Sequence, residues 1–90
     1  MSVTAEDLEL RINRGETMAR FLGDEIIQQV FSTMEELYFK RWKQAETPEQ
    51  REELRAEARA FEALSRGLQG LVDDGNSATN QLNQRNKSQV

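Results

Sequence analysis

The single proline of this 90-residue chain, Pro48, lies where the neighbouring residues favour the beginning of a helix. Thr47 offers an N-cap oxygen, and Gln50 completes a capping box. Pro48 fits the first helical position, where the missing N–H costs no hydrogen bond. Elsewhere helix-forming residues dominate and β-branched residues never form a run. The sequence therefore predicts long uninterrupted helices and an all-α fold.

Two further start signals divide the first half of the chain. Thr4 and Asp7 form a weaker capping box. Gly23 suits the end of one helix and Asp24 the N-cap of the next, with one bent continuous helix as the alternative. The predicted helices cover about residues 5–21, 25–45 and 48–73.

The turn before Pro48 is short, so the second and third helices are expected to form an antiparallel hairpin. Asp73, Asp74 and Gly75 indicate the end of the third helix, and Asn, Gln, Ser and Thr dominate after them. We therefore expect a helical domain over residues 1–75 and a polar tail over residues 76–90 that is either mobile or ordered only within an assembly.

The second predicted helix carries an apolar arc of about 160°, wider than the stripe of about 100° that one buried side requires. We expect the third helix to cover one part of the arc. Either the first helix or a neighbouring subunit would cover the rest. Phe39 lies outside even this wide arc. The arc consists of Ile26, Ile27, Val30, Phe31, Met34, Leu37, Tyr38 and Trp42. The first helix offers Leu8, Ile12, Met18, Phe21 and Leu22.

The third helix shows two patterns on opposite sides. A heptad-like seam of large residues is expected to hold the hairpin together. Small residues follow a 4-3-4-3 spacing on the other side, and each helical glycine costs about 1 kcal/mol relative to alanine. Close approach of another chain would explain them; a bend or frayed end with solvent-facing alanines is the alternative. The seam is Leu54, Phe61, Leu64, Leu68 and Leu71. The predicted inter-chain contacts are Phe39, Trp42, Ala56, Ala60, Ala63, Gly67 and Gly70.

The composition argues against several classes of function. Histidine and cysteine are absent, which removes the usual general base, nucleophile and transition-metal ligands. We expect no catalysis, no cofactor and no metal. The net charge is −4, and anionic side chains surround most of the cations, so nucleic-acid binding is not expected. No long apolar run or signal sequence is visible, so we expect no membrane partner and no secretion by a signal of its own.

Five segments of the chain form a familiar pattern: Arg20-Phe21-Leu22-Gly23-Asp24, Gln28-Gln29-Val30-Phe31, Tyr38 with Trp42, Arg51-Glu52-Glu53-Leu54, and Asp74-Gly75 with Ala78 and Leu82. Through these segments the region from Gly15 to Leu82 resembles small helical proteins encoded among the structural and packaging genes of tailed bacteriophages and prophages. In that family a proline often follows the aspartate that begins the second helix, where this chain has Glu25.

The resemblance implies a phage particle component or assembly factor that contacts capsid, portal, packaging or ejection proteins. Its location would be the virion or the host cytoplasm, and its partners other phage structural proteins, copies of itself, or both. Two alternatives remain open. One is a small acidic regulatory or inhibitory protein that binds one host protein. The other is a small DNA-packaging subunit that forms a ring.

Overall fold

A computed structural model describes residues 3–88 of the chain, and within that range it contains three α-helices and no strands. The all-α prediction is confirmed. The helices are α1 (Ala5–Gly23), α2 (Glu25–Gln44) and α3 (Pro48–Ser88). Residues 1–2 and 89–90, which belong to the predicted domain and tail, lie outside the described range.

All three predicted helix starts are confirmed by hydrogen bonds. The Asp7 amide donates to the Thr4 hydroxyl at 3.1 Å, and the Thr4 amide donates to the Asp7 carboxylate at 3.3 Å. Asp24 has an extended backbone and its Oδ1 accepts from two amides of the first turn of α2. The Gln50 amide donates to the Thr47 hydroxyl at 3.1 Å. These side chains satisfy amides that have no partner inside the helix.

The predicted end of the third helix is wrong, because α3 continues through Gly75 to Ser88. None of the glycines has a positive φ, so Gly75 is an ordinary helical residue and not a terminating one. Residues 76–88, predicted as part of the polar tail, are helical. Arg85 and Lys87 lie in the last turn, where cations interact favourably with the helix dipole.

The chain divides into two compact units. The first contains α1 up to Phe21 and α3 from Gly67 onward, and the second is Leu22–Arg66. In the second unit, ring contacts and an ion pair link α2 to α3: Phe31 and Tyr38 lie 5.3 and 5.9 Å from Phe61, and Arg41 pairs with Glu57 at 3.0 Å.

The first unit is organised by a close approach of two helix backbones. A Cβ placed on Gly15 would lie 2.9 Å from the Cα of Gly75 and 3.1 Å from the Leu71 carbonyl oxygen. Both glycines are buried. Glycine is therefore required at this crossing, since any larger residue would force the helices apart. The crossing gives the physical reason why Gly75 does not end α3.

An ion pair lies one turn from the glycine crossing. The Arg11 guanidinium donates two hydrogen bonds to the Asp74 carboxylate, at 2.8 and 3.0 Å. Such a two-pronged geometry fixes orientation as well as adding attraction. Farther along, the Arg85 side chain donates to the Val3 carbonyl oxygen. These contacts hold the polar end of α3 along the length of α1.

Few side chains are fully covered. Among residues 3–88 the buried apolar side chains are Leu8 and Ala78 in the first unit and Leu54 in the second. Of the residues predicted for the hairpin seam, Leu54 is buried, whereas Leu64 is 58% exposed. Leu71, also predicted for the seam, belongs to the first unit, where its carbonyl oxygen lies beside Gly15 of α1. None of the three helices, as far as residues 3–88 describe them, is apolar over a length that would cross a membrane.

We expect Gly15→Ala to lower the free energy of unfolding by about 1–3 kcal/mol, because the added methyl group would collide with the backbone of Gly75. Gly70→Ala is the matched control, since a Cβ there meets no atom within 4 Å. That control should raise the free energy of unfolding by up to about 1 kcal/mol, because alanine favours the helix. Urea unfolding followed by circular dichroism measures both. Equal effects of the two substitutions would contradict the close approach.

The Arg11–Asp74 pair predicts a pH dependence. Hydrogen bonding from Arg11, aided by the positive charges of Arg11 and Arg14, holds the pKa of the Asp74 carboxyl below its usual value. The folded chain therefore binds this proton less tightly than the unfolded chain, and the stabilisation present at neutral pH is lost as the pH falls below about 4.

We expect Asp74→Asn to be less stable than the unmodified chain at pH 7, with a difference that shrinks in acid. Thermal unfolding at a series of pH values measures it. Asp73→Asn is the control, because the Asp73 carboxylate is exposed and accepts a hydrogen bond only from Gln69 among the described residues. A stability difference for Asp74→Asn that stayed constant from neutral to acid pH would argue against the ion pair.

Candidate protein-interaction surfaces

The wide apolar arc of α2 divides into two parts. Its inner residues are half-buried, and two of them, Phe31 and Tyr38, contact Phe61 of α3. No residue of α2 is fully buried. The inner residues are Ile27, Phe31, Met34 and Tyr38. The expected contact of α3 with one part of the arc is therefore present, through Phe61.

The other part of the arc forms an exposed stripe, which we call the outer stripe: Ile26, Val30 and Leu37. Their exposed fractions are 68%, 52% and 46%. At 100° per residue these three positions fall within about 40° of one another, and the stripe is turned about 90° from the inner residues. Scattered exposed apolar residues are normal, but three aligned on one helix face mark a contact surface. The outer stripe is absent from the predicted contact residues.

The contacts of α2 show which side of the second unit carries the outer stripe. Arg41 projects between the inner residues and the stripe, and it pairs with Glu57 of α3. On α3, Glu57 and Leu64 project within about 20° of each other. Leu64, 58% exposed, therefore lies on the same side of the second unit as the outer stripe. This side combines four exposed large apolar residues with one ion pair.

Phe39 and Trp42, predicted as inter-chain contacts, project to the other side of α2. Phe39 is 63% exposed, and the Lys43 ammonium lies 4.4 Å from its ring centre. Trp42 is 38% exposed, and the Arg55 guanidinium lies 5.6 Å from its ring centre. These cation–π contacts hold the cations over the aromatic faces without enclosing the rings. Both aromatic residues thus remain accessible to a partner.

The predicted small-residue face of α3 is open along its length. In the second unit, Ala56, Ala60 and Ala63 are exposed. In the first unit, Gly67 and Gly70 are exposed, and a Cβ at either position would meet no atom within 4 Å. No backbone within the described chain approaches these glycines. The glycines that the fold does use for close approach are Gly15 and Gly75, which the spacing analysis missed.

A signal for the Gly15–Gly75 crossing is present in the sequence. The apolar and small residues of α3 keep a regular 3-4-3-4 spacing through the polar region: Leu68, Leu71, Gly75, Ala78 and Leu82. On α1, Gly15 follows Leu8 by seven residues. This continued periodicity is typical of a helix with one covered side. It indicates a packed helix where the composition alone suggested a tail.

The described residues contain no group of three or more acidic side chains arranged to hold a metal ion. The shallow groove beside Tyr38 and Phe61 is lined by both signs of charge, from Glu35, Glu62 and Arg66. Nothing in it converges on one bound atom. The features that stand out are therefore helix surfaces, which suit contact with other helices.

We expect Trp42→Ala to lower the free energy of unfolding by about 1–2 kcal/mol, because the ring is partly exposed in the folded chain. Phe39→Ala should change it by less than about 0.5 kcal/mol. Urea unfolding followed by circular dichroism measures both. A loss of about 4 kcal/mol for Trp42→Ala would mean that the ring is a fully buried core residue, and it would remove Trp42 from the interaction surface.

The chain was compared with models of known protein families, with curated proteins and with solved structures, and none of them matches it. Its function is therefore inferred from the helix surfaces and their chemistry.

Proposed function

We propose that this chain is a non-catalytic structural or assembly protein that acts through helix-to-helix contacts within a larger protein assembly. The observation that carries the proposal is α2, which has no fully buried residue and exposes the outer stripe, Phe39 and part of Trp42. Large apolar side chains aligned on an accessible helix are the anchors that interfaces use.

The thin interior supports the same proposal. With three fully buried apolar side chains among residues 3–88 and no cysteine, the chain has few internal sources of stability. Small proteins of this kind commonly gain stability from a partner surface. The two long helical segments of the second unit, taken as an antiparallel hairpin, would present their outer sides to such partners.

The assembly is proposed to be a tailed phage particle, on the strength of the resemblance between residues 15–82 and small helical phage proteins. The contacted protein would belong to the capsid, portal, packaging or ejection machinery. Phe39, Trp42 and the small-residue face of α3 would meet it. An acidic net charge of −4 supports protein contact over DNA contact.

Incorporation into particles tests the proposal. Phage particles are purified, and the amount of the chain per particle is measured by quantitative mass spectrometry. The unmodified chain and Leu10→Glu should be retained, because Leu10 lies on α1, outside the proposed contacts. Phe39→Glu should reduce retention, since a buried carboxylate without a partner weakens an interface.

Absence of the unmodified chain from particles, together with tight binding to one free host protein, would replace the proposal with the inhibitor alternative. DNA binding by the purified chain that weakens steeply with salt would instead support the packaging-subunit alternative.

A further inference from the structure

The outer stripe has the spacing of a helix-pairing seam. Together with Thr33, the stripe runs from Ile26 through Val30 and Thr33 to Leu37, in steps of four, three and four residues. This alternation keeps one line of side chains facing a neighbouring helix over three turns. Helix α3 does not use it, since α3 contacts the inner residues of α2. The occupant that fits the outer stripe is therefore a further helix.

The charges of α2 select the direction of that helix. Its beginning is acidic, with Asp24 and Glu25, and its last two turns are basic, with Lys40 and Lys43. Lys40 makes no ion pair within residues 3–88. A parallel copy of α2 would set like charges side by side. An antiparallel copy sets the acidic beginning of each helix beside the basic end of the other, and it also opposes the helix dipoles.

We propose that α2 pairs antiparallel with α2 of a second copy of this chain through the outer stripe. The spacing gives one register in which all four stripe positions meet: Ile26 opposite Leu37 of the second copy, and Val30 opposite Thr33 of the second copy. The same register brings Lys40 level with the acidic beginning of α2 in the second copy, at Glu25. Two-fold symmetry repeats each contact, as in any closed dimer of identical subunits.

The second unit leaves room for this pairing. The side that bears the outer stripe also bears Leu64, so a second copy would cover apolar residues of both helices. Phe39 and Trp42 project elsewhere and remain accessible to other proteins. The pairing rests on the proposed function, since it names a second copy of the chain as one partner of an interaction protein. It uses a different surface from the one proposed to contact the phage particle.

Sedimentation equilibrium of the full chain over a hundredfold range of concentration is the first test. The unmodified chain should be a dimer at the upper end of the range. Val30→Glu should raise the dimer dissociation constant at least about tenfold, because the substitution buries two carboxylates near each other. Leu10→Glu is the matched control, a similarly exposed apolar residue on α1, and it should leave the dissociation constant unchanged. A monomer at every concentration would overturn the pairing.

Cysteine cross-linking tests the direction, and the absence of natural cysteine makes it specific. Single variants Ile26→Cys and Leu37→Cys are oxidised separately and as an equal mixture. The antiparallel register predicts that the mixture forms the mixed disulfide and that neither variant links efficiently to itself. Two copies of residue 26 would lie about 16 Å apart along the helix axis, too far for a disulfide.

Self-linked products as the main species would overturn the antiparallel arrangement in favour of a parallel one. Circular dichroism of each variant confirms that the helices persist, so that a lack of cross-links counts against the pairing. An unmodified chain that stays monomeric but is retained normally in particles would overturn this inference and leave the proposed function intact. Loss of particle retention by Phe39→Glu, with the dimer intact, would support both proposals.

Discussion

The packing of the two helices in the first unit depends on two positions that have no side chain. Gly15 and Gly75 allow the backbones of α1 and α3 to approach so closely that a single added carbon atom would collide. That approach buries Ala78 completely and places Asp74 within reach of Arg11. Without it, the polar residues after Gly75 would have little apolar surface to hold them in a helix, since most helical stability in proteins comes from packing.

The helix starts were predictable because each depends on local chemistry. Thr4, Asp24 and Thr47 all cap the helices that follow them, as their short-range hydrogen bonds show. The end of α3 was not predictable in the same way. Asp73-Asp74-Gly75-Asn76 has the composition of a helix end, but a contact with a residue 63 positions away decides its structure. Tertiary packing overrides local preference there.

The candidate interaction surface was predictable only in part, because tertiary contacts again decide which residues are covered. The width of the apolar arc on α2 predicts cover on more than one side, whereas in the structure one part of the arc is half-buried and the other is exposed. Which side α3 covers depends on the contacts of Phe61, and periodicity alone does not determine it. Phe39 lies outside the apolar arc predicted from the sequence, and its side chain is 63% exposed in the structure. Leu64 has the spacing of a core residue, yet it lies on the surface.

The residues that contact each other lie closer together along the chain in the second unit than in the first, which affects when each unit can fold. Arg41 and Glu57 of the second unit are 16 residues apart, whereas in the first unit Arg11 and Val3 contact residues of α3 that lie 63 and 82 positions further along the chain. Closing a short loop costs less entropy than closing a long one. During synthesis the second unit has all of its residues once Arg66 has emerged from the ribosome. Helix α1 must wait for its partner until the residues around Asp74 and Gly75 have also been made.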